Sequence, residues 1–162
     1  MKIFLIGYMA SGKSVVAEKL SQLLGFRFVD TDKWIEARCC KSIPEIFSDH
    51  GEIFFREKEK ECIEFLMDHQ DIVVSTGGGI ILKNRDLLNQ TFNIYLKCDL
   101  ETLIKRTSRN KNRPLLKNNV EKNIKILFND RKEIYNETSD FTINANSNTQ
   151  KTIKTILEHL NQ

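Results

Sequence analysis

No apolar run in this 162-residue chain approaches the roughly 20 residues of a membrane span. Met1-Lys2 leads straight into a short apolar stretch without a small-residue cleavage site, so no secretory signal peptide is expected. Charge of one sign is scarce too: 25 Lys and Arg stand against 22 Asp and Glu, a formal net charge of +3. That excess is too slight to imply nucleic-acid or membrane binding, and it suits a site for small anions. Cys39, Cys40, Cys62 and Cys98 form no C-x-x-C pair and have no nearby partner histidine, which argues against zinc and against a disulfide framework. Reduced thiols in a cytoplasmic protein are the expectation. With no repeat and no low-complexity linker, residues 1–162 read as one domain able to bury its own core.

What is present alternates between short apolar runs and helix-length amphipathic stretches. Ile3–Ile6 reads as a buried strand, and Ser14–Leu24 as a helix closed by Gly25. Phe26–Val29 reads as a second strand ending at Asp30-Thr31-Asp32, with a helix opening around Trp34. Ser42-Ile43-Pro44-Glu45 fits a capping box, and a long helix runs from Glu52 to about His69. Ile72–Ser75 and Phe92–Lys97 are further strands, and Leu100–Thr107 is a helix. A polar segment around Arg109–Pro114 precedes a helix over Asn119–Glu137, a short strand over Phe141–Ile143 and a helix over Thr152–Leu160. Strands separated by helices, without hairpin signals, predict a parallel α/β sheet covered on both faces. In such a sheet ligands bind outside the carboxyl ends of the strands.

The segment at that position after the first strand is Gly7-Tyr8-Met9-Ala10-Ser11-Gly12-Lys13-Ser14. Its G-x-x-x-x-G-K-[ST] spacing is that of a phosphate-binding P-loop, in which backbone N–H groups and a helix N-terminus converge on an anion. Lys13 is expected at the β- and γ-phosphates and the Ser14 hydroxyl on Mg²⁺. The third strand ends in Ser75-Thr76 rather than Asp, so the metal carboxylate is sought at the end of the second. Read as extended chain, Asp30 and Asp32 share a face. Asp30 is then assigned to Mg²⁺ through water and Asp32 to an acceptor hydroxyl, as hydrogen-bond acceptor and candidate base. Capping of the next helix by Asp30 or Thr31 is the alternative. Thr76-Gly77-Gly78-Gly79 reads as close backbone approach of a ligand, or as a plain tight turn. Arg56 and Arg131 fit equally a salt-bridged helix face or a planar fork for a carboxylate. Arg106, Arg109 and Arg113 flank a segment that could close over nucleotide.

Taken in order, these pieces resemble the shikimate kinase family over essentially the whole chain. The matching stretches are GYMASGKS, the DTD of Asp30–Asp32, and the G-E-x-x-F-R-x-x-E of Gly51–Glu59. STGGGI from Ser75, RPLL from Arg113 and R-x-x-x-Y-x-E over Arg131–Glu137 complete the set. The resemblance implies a P-loop, nucleoside-monophosphate-kinase-like fold with five parallel strands in the order 2-3-1-4-5. It implies transfer of the γ-phosphate of ATP, with Mg²⁺, to the 3-hydroxyl of shikimate by a monomer. Lys13, Asp32 and Arg113 would be catalytic. Ala10, Ser11, Gly12, Lys13, Ser14, Val15, Arg106 and Arg113 would bind ATP, with Arg106 stacking near adenine. Asp32, Arg56, Gly77, Gly78, Gly79 and Arg131 would bind substrate. The substrate-binding helical region would cover about 31–62 and a mobile lid about 108–118.

The chain departs from the family pattern in two places. Ala10 stands where glycine is usual, and an alanine-compatible backbone is expected there. Ile143-Asn144 replaces a more usual Ile-Asp near the adenine pocket. Rival readings are a kinase for another small acceptor, such as a gluconate kinase, and a P-loop switch. Against the switch, N-K-x-D and D-x-x-G signatures are absent.

Overall fold

The structure is a computed structural model that describes residues 1–108 and 120–161. Its centre is one parallel sheet of β1 (Lys2–Ile6), β2 (Arg27–Asp30), β3 (Ile72–Ser75), β4 (Phe92–Lys97) and β5 (Phe141–Asn144). The strands lie in the order β2-β3-β1-β4-β5, as expected. Ile3, Phe4, Leu5 and Ile6 of β1 have no solvent exposure, because the central strand of a sheet covered on both faces can hold only apolar side chains.

The helices are α1 (Lys13–Leu24), α2 (Thr31–Cys39), α3 (Ile43–Met67), α4 (Arg85–Leu88), α5 (Leu100–Thr107), α6 (Val120–Thr138) and α7 (Thr149–Leu160). α1 packs on β2, β3 and α7, while α6 packs on β4 and α5. Gly25, at φ 69°, ends α1 in the left-handed cap that glycine favours. Glu45 reaches back to the Ser42 N–H at 2.8 Å at the start of α3, so that half of the box is built as the sequence indicated. Gly51, at φ 79° and ψ 179°, breaks α3, so the long helix from Glu52 starts afresh after a kink.

Three boundaries differ from the sequence reading for identifiable reasons. Helix α2 begins at Thr31, not near Trp34, since Asp30 caps it by accepting from the N–H groups of Asp32 and Lys33. Helix α7 begins at Thr149 because Asn148 accepts from the Lys151 N–H at 2.9 Å. Between β3 and β4 the chain adds a 3-10 turn, Ile80–Leu82, and the four-residue α4, neither of which carries a periodic signal. A second, small core of Ile35, Ile46 and Phe55 holds α2 and α3 together apart from the main one, within the region expected to bind substrate.

Candidate active site

Strand register lines up the ends of three strands: Leu5 pairs with Ser75, and Ser75 with Asp30. From that row the chain enters the P-loop. Gly7 lies at φ 146°, and a side-chain carbon there would stand 2.9 Å from the Leu96 carbonyl oxygen. Gly12, at φ 98°, is the N-cap of α1. Lys13 is only 7% exposed, and its Nζ donates to the carbonyls of Gly7 (2.8 Å) and Tyr8 (2.6 Å), inside the loop. The Ser11 hydroxyl is buried without a hydrogen-bond partner among the described residues. Val15 is exposed on the first turn of α1. Together these groups form a cationic cradle at a helix N-terminus, the arrangement that holds phosphate.

Ala10 overturns an expectation. It lies at φ 61°, in the left-handed region, not in an alanine-compatible conformation. The Ser11 N–H closes a turn onto the Tyr8 carbonyl at 3.3 Å, and Ala10 is its third residue. Positive φ at that position alone is the mark of a type II turn, which glycine or asparagine normally fills. The methyl costs roughly 1–2 kcal/mol there.

The two aspartates also arrive differently from the expected route. They do not share the face of an extended strand, because Thr31 already starts a helix and Asp32 projects from its first turn. Asp30 takes the capping role that the sequence offered as one alternative, and its other oxygen faces the P-loop. Its Oδ1 caps α2, and its Oδ2 accepts from the Ser14 hydroxyl at 2.9 Å. The Ser14 and Ser75 hydroxyls are 3.0 Å apart. Among the described residues no three His, Cys, Asp or Glu side chains gather to hold a metal. One carboxylate and two hydroxyls beside a phosphate cradle nevertheless fit Mg²⁺, which takes oxygen ligands and draws many of them from water and substrate phosphates.

Asp32 faces the glycine segment after β3. A side-chain carbon on Gly77 would come within 2.8 Å of Asp32 Oδ1 and, equally, of Glu59 Oε1. The segment is fixed from behind: the Gly77 N–H donates to Thr31 Oγ1 at 2.9 Å, and Thr76 Oγ1 donates to the Leu5 carbonyl at 2.9 Å. A side chain on Gly79 would collide with the terminal nitrogens of Arg56. The close approach seen at this glycine run is made by protein groups. Neither the Gly78 nor the Gly79 N–H has a hydrogen-bond partner among the described residues.

Arg56 is ion-paired to Glu52 (2.9 Å) and Glu59 (2.6 Å), yet its side chain is only 10% exposed. Arg56 is thus salt-bridged along its helix, as one of the two readings had it, but on a buried face. Arg131 is buried, and its Nη1 donates to the Gly78 carbonyl at 2.9 Å. Among the described residues no carboxylate lies within ion-pair distance of Arg131. A buried guanidinium is costly unless a negative group meets it. Burial pushes the Glu59 carboxyl up to about 7, with Asp32 adding to the rise and Arg56 opposing it.

Arg106 braces the P-loop. Its guanidinium donates to the Ser11 carbonyl (3.4 Å) and to those of Ala145 (3.0 Å) and Asn146 (3.4 Å), joining the P-loop to the turn after β5. In that turn Asn144 Oδ1 accepts from the Asn146 N–H at 2.9 Å. A carboxylate would accept the same bond, so this departure leaves the turn intact. Arg113 and the lid positions 109–118 lie outside the described residues.

Sequence reasoning overlooked Thr31, Glu59, Ser75 and Tyr135, all of which touch this site. Glu59 and Tyr135 were visible as fixed letters of the quoted motifs. Their burial, which gives them consequence, is a tertiary fact.

A parallel five-stranded sheet in this order, with a P-loop after its central strand, defines the chain as a P-loop kinase. The comparisons narrow the class. A family model described as "Shikimate kinase" matches residues 9–161. The shikimate kinase of Persephonella marina is 45% identical over 136 residues, 82% of each chain. The bifunctional shikimate kinase/3-dehydroquinate synthase of Thermotoga maritima is 36% identical across 100% of this chain, which spans 33% of that longer protein. A solved structure of shikimate kinase from Acinetobacter baumannii in complex with shikimate superposes with a TM-score of 0.94 at 36% identity. It covers 98% of this chain and 92% of its own. The chain belongs to the shikimate kinase family.

Proposed function

We propose that the chain transfers the γ-phosphate of ATP to the 3-hydroxyl of shikimate, giving shikimate 3-phosphate and ADP on the route to aromatic amino acids. The observation that carries this reading is Arg131: a buried guanidinium with no carboxylate within ion-pair distance among the described residues, beside Arg56 and the glycine backbone. Such a site calls for an anionic acceptor, and a planar carboxylate matches two guanidinium groups and the N–H groups of Gly78 and Gly79. Asp32, on the far side of Gly77, would accept the hydrogen bond of the reacting hydroxyl. The relative from Acinetobacter baumannii was solved with shikimate, and its fold matches this one along nearly its full length.

On the nucleotide side, Ser11, Gly12, Lys13, Ser14 and the backbone at Ala10 would bind the phosphates, with Val15 and Arg106 bordering the nucleotide. Ser14 would hold Mg²⁺ directly and Asp30 through water. The metal would neutralise charge on the transferring phosphoryl group. Lys13 would follow the same charge from the β- to the γ-phosphate. Arg113 enters the reading on the family resemblance alone, as do a monomeric state and a cytoplasmic setting. Most of the rate enhancement would then come from positioning and charge neutralisation, since phosphoryl transfer asks little covalent chemistry of the protein.

The test is an acceptor panel: ADP release followed with ATP, Mg²⁺ and either shikimate or gluconate. Shikimate-dependent release is expected, with Arg56→Ala raising the shikimate KM steeply and leaving the ATP KM nearly unchanged. Release driven by gluconate alone, or slow release indifferent to any acceptor, would reject the proposal.

A further inference from the structure

The carbonyl of Gly78 receives two donors at once. The Tyr135 hydroxyl reaches it at 2.5 Å and Arg131 Nη1 at 2.9 Å. Tyr135 is 1% exposed, and its ring is held from two sides. It stacks on Tyr95 of β4 with centroids 5.0 Å apart and planes 14° apart. It also meets Tyr8 of the P-loop edge-on at 4.8 Å and 65°. Packing alone would be served as well by phenylalanine, whereas a buried hydroxyl is costly without a partner. Burial pushes the phenol well above its ordinary range, so at working pH it is a donor.

What the donor fixes is a peptide plane. Gly77-Gly78-Gly79 has little conformational preference of its own. No peptide bond among the described residues is cis, so the Gly79 N–H points opposite to the Gly78 carbonyl. Two donors that hold this carbonyl toward α6 thereby turn the Gly79 N–H away from α6. Gly79 itself abuts the end of Arg56. Arg131 alone is a poor anchor, because the acceptor carboxylate would compete for the same guanidinium.

We infer that Tyr135 is a positioning residue: its hydroxyl sets the Gly78–Gly79 peptide so that the Gly79 N–H meets the acceptor carboxylate, and frees Arg131 to share that carboxylate. The inference rests on the acceptor site proposed above. Its test is Tyr135→Phe, which removes one oxygen and keeps the ring. Turnover is measured with shikimate and with the analogue in which the carboxylate is reduced to a hydroxymethyl group, alongside the ATP KM and the melting temperature.

The shikimate KM is expected to rise about fivefold, the loss of one hydrogen bond, while kcat, the ATP KM and the melting temperature stay near wild type. The KM of the hydroxymethyl analogue is expected to be the same in both proteins. An unmoved shikimate KM overturns the inference. So does a rise shared equally by the analogue or by ATP, or a melting temperature far below wild type, since each would make Tyr135 a packing element only. A wild-type protein that does not phosphorylate shikimate would instead reject the functional reading, and this inference with it.

Discussion

Arg56 Nη1 donates to Glu59 Oε2 at 2.6 Å, and the Glu59 side chain has no solvent exposure. The pair ties the guanidinium beside Gly79 to a carboxyl that also faces Gly77 and Asp32. The proposed acceptor side of the site is therefore a compact set of opposing charges held around a glycine backbone, and its energetics depend on pH.

Burial raises the Glu59 carboxyl from its ordinary 4.5 to about 7. For an acid raised in this way, the folded state favours the protonated form. Its contribution to stability is fully present below about 4.5 and is lost as pH rises through about 7. Glu59→Gln has no such group to titrate. Melting temperatures of both proteins between these limits are expected to diverge, wild type falling relative to the variant as pH rises and levelling off above 7. A constant difference across the range would show that Glu59 is ionised throughout.

Alanine substitutions along the glycine segment are expected to separate by what each methyl meets. At Gly79 it meets the terminal nitrogens of Arg56, which can yield only by loosening their pairs with Glu52 and Glu59. Gly79→Ala should then raise the shikimate KM by about tenfold, one hydrogen-bonded charge contact, and lower the melting temperature, with turnover and the ATP KM little changed. At Gly77 it meets two carboxylates at 2.8 Å, one of them buried and paired. Gly77→Ala should lower both turnover and stability, the latter by about 2 kcal/mol as for an overpacked core site. Equal behaviour of the two variants in kinetics and thermal melts would refute this account.

These residues mark where the sequence was readable. β3, β4 and α5 lie within the residues assigned to them, and the P-loop with its helix could be placed from eight letters, because apolar runs and glycine spacing are local signals. Asp32 reaches the site by another geometry than the one expected: an N-cap at Asp30 starts the helix three residues before Trp34, where the apolar pattern opens it. Glu59 and Tyr135 looked like ordinary members of helices. Their importance comes from Arg56 and Gly77 for one, and from a carbonyl 57 residues away for the other. Contacts across such separations leave no periodicity to read. The segment 80–88 offers only a three-residue apolar run and Asn84 as a cap residue, too little to set an element's bounds, and its two short elements are fixed by the core around Ile80, Ile81 and Leu88.

Ala10 offers a different kind of test. Replacing it with glycine relieves roughly 1–2 kcal/mol of left-handed strain, offset by roughly 0.4–1 kcal/mol of added freedom in the unfolded chain. Ala10→Gly is therefore expected to melt at or slightly above the wild-type temperature and to change the ATP KM by only a few-fold. Ala10→Val carries a branched side chain into the same φ of 61° and should weaken ATP binding by more than tenfold, about 1.4 kcal/mol. Isothermal titration with ATP would decide it, and normal affinity in the valine variant would mean that the loop does not require positive φ here.

The cap made by Asp30 and its proposed service to Mg²⁺ can be separated by substitution. Its Oδ1 caps α2, a bond that asparagine can also make, while its Oδ2 stands 2.9 Å from the Ser14 hydroxyl, where Mg²⁺ would bring its water. Asp30→Asn keeps a cap and removes the charge. It should melt near wild type yet need about tenfold more Mg²⁺ for half-maximal turnover, as when a group behind a metal ligand is lost. Asp30→Ala should show the same metal requirement and also lose about 1 kcal/mol of stability with the cap. Ser14→Thr, which retains the hydroxyl, should keep most turnover, and Ser14→Ala should not. Magnesium titrations of the four variants, read beside their thermal melts, check the assignment. If Asp30→Asn needs no more Mg²⁺ than wild type, Asp30 is a helix cap alone and the metal is held by Ser14 and the nucleotide.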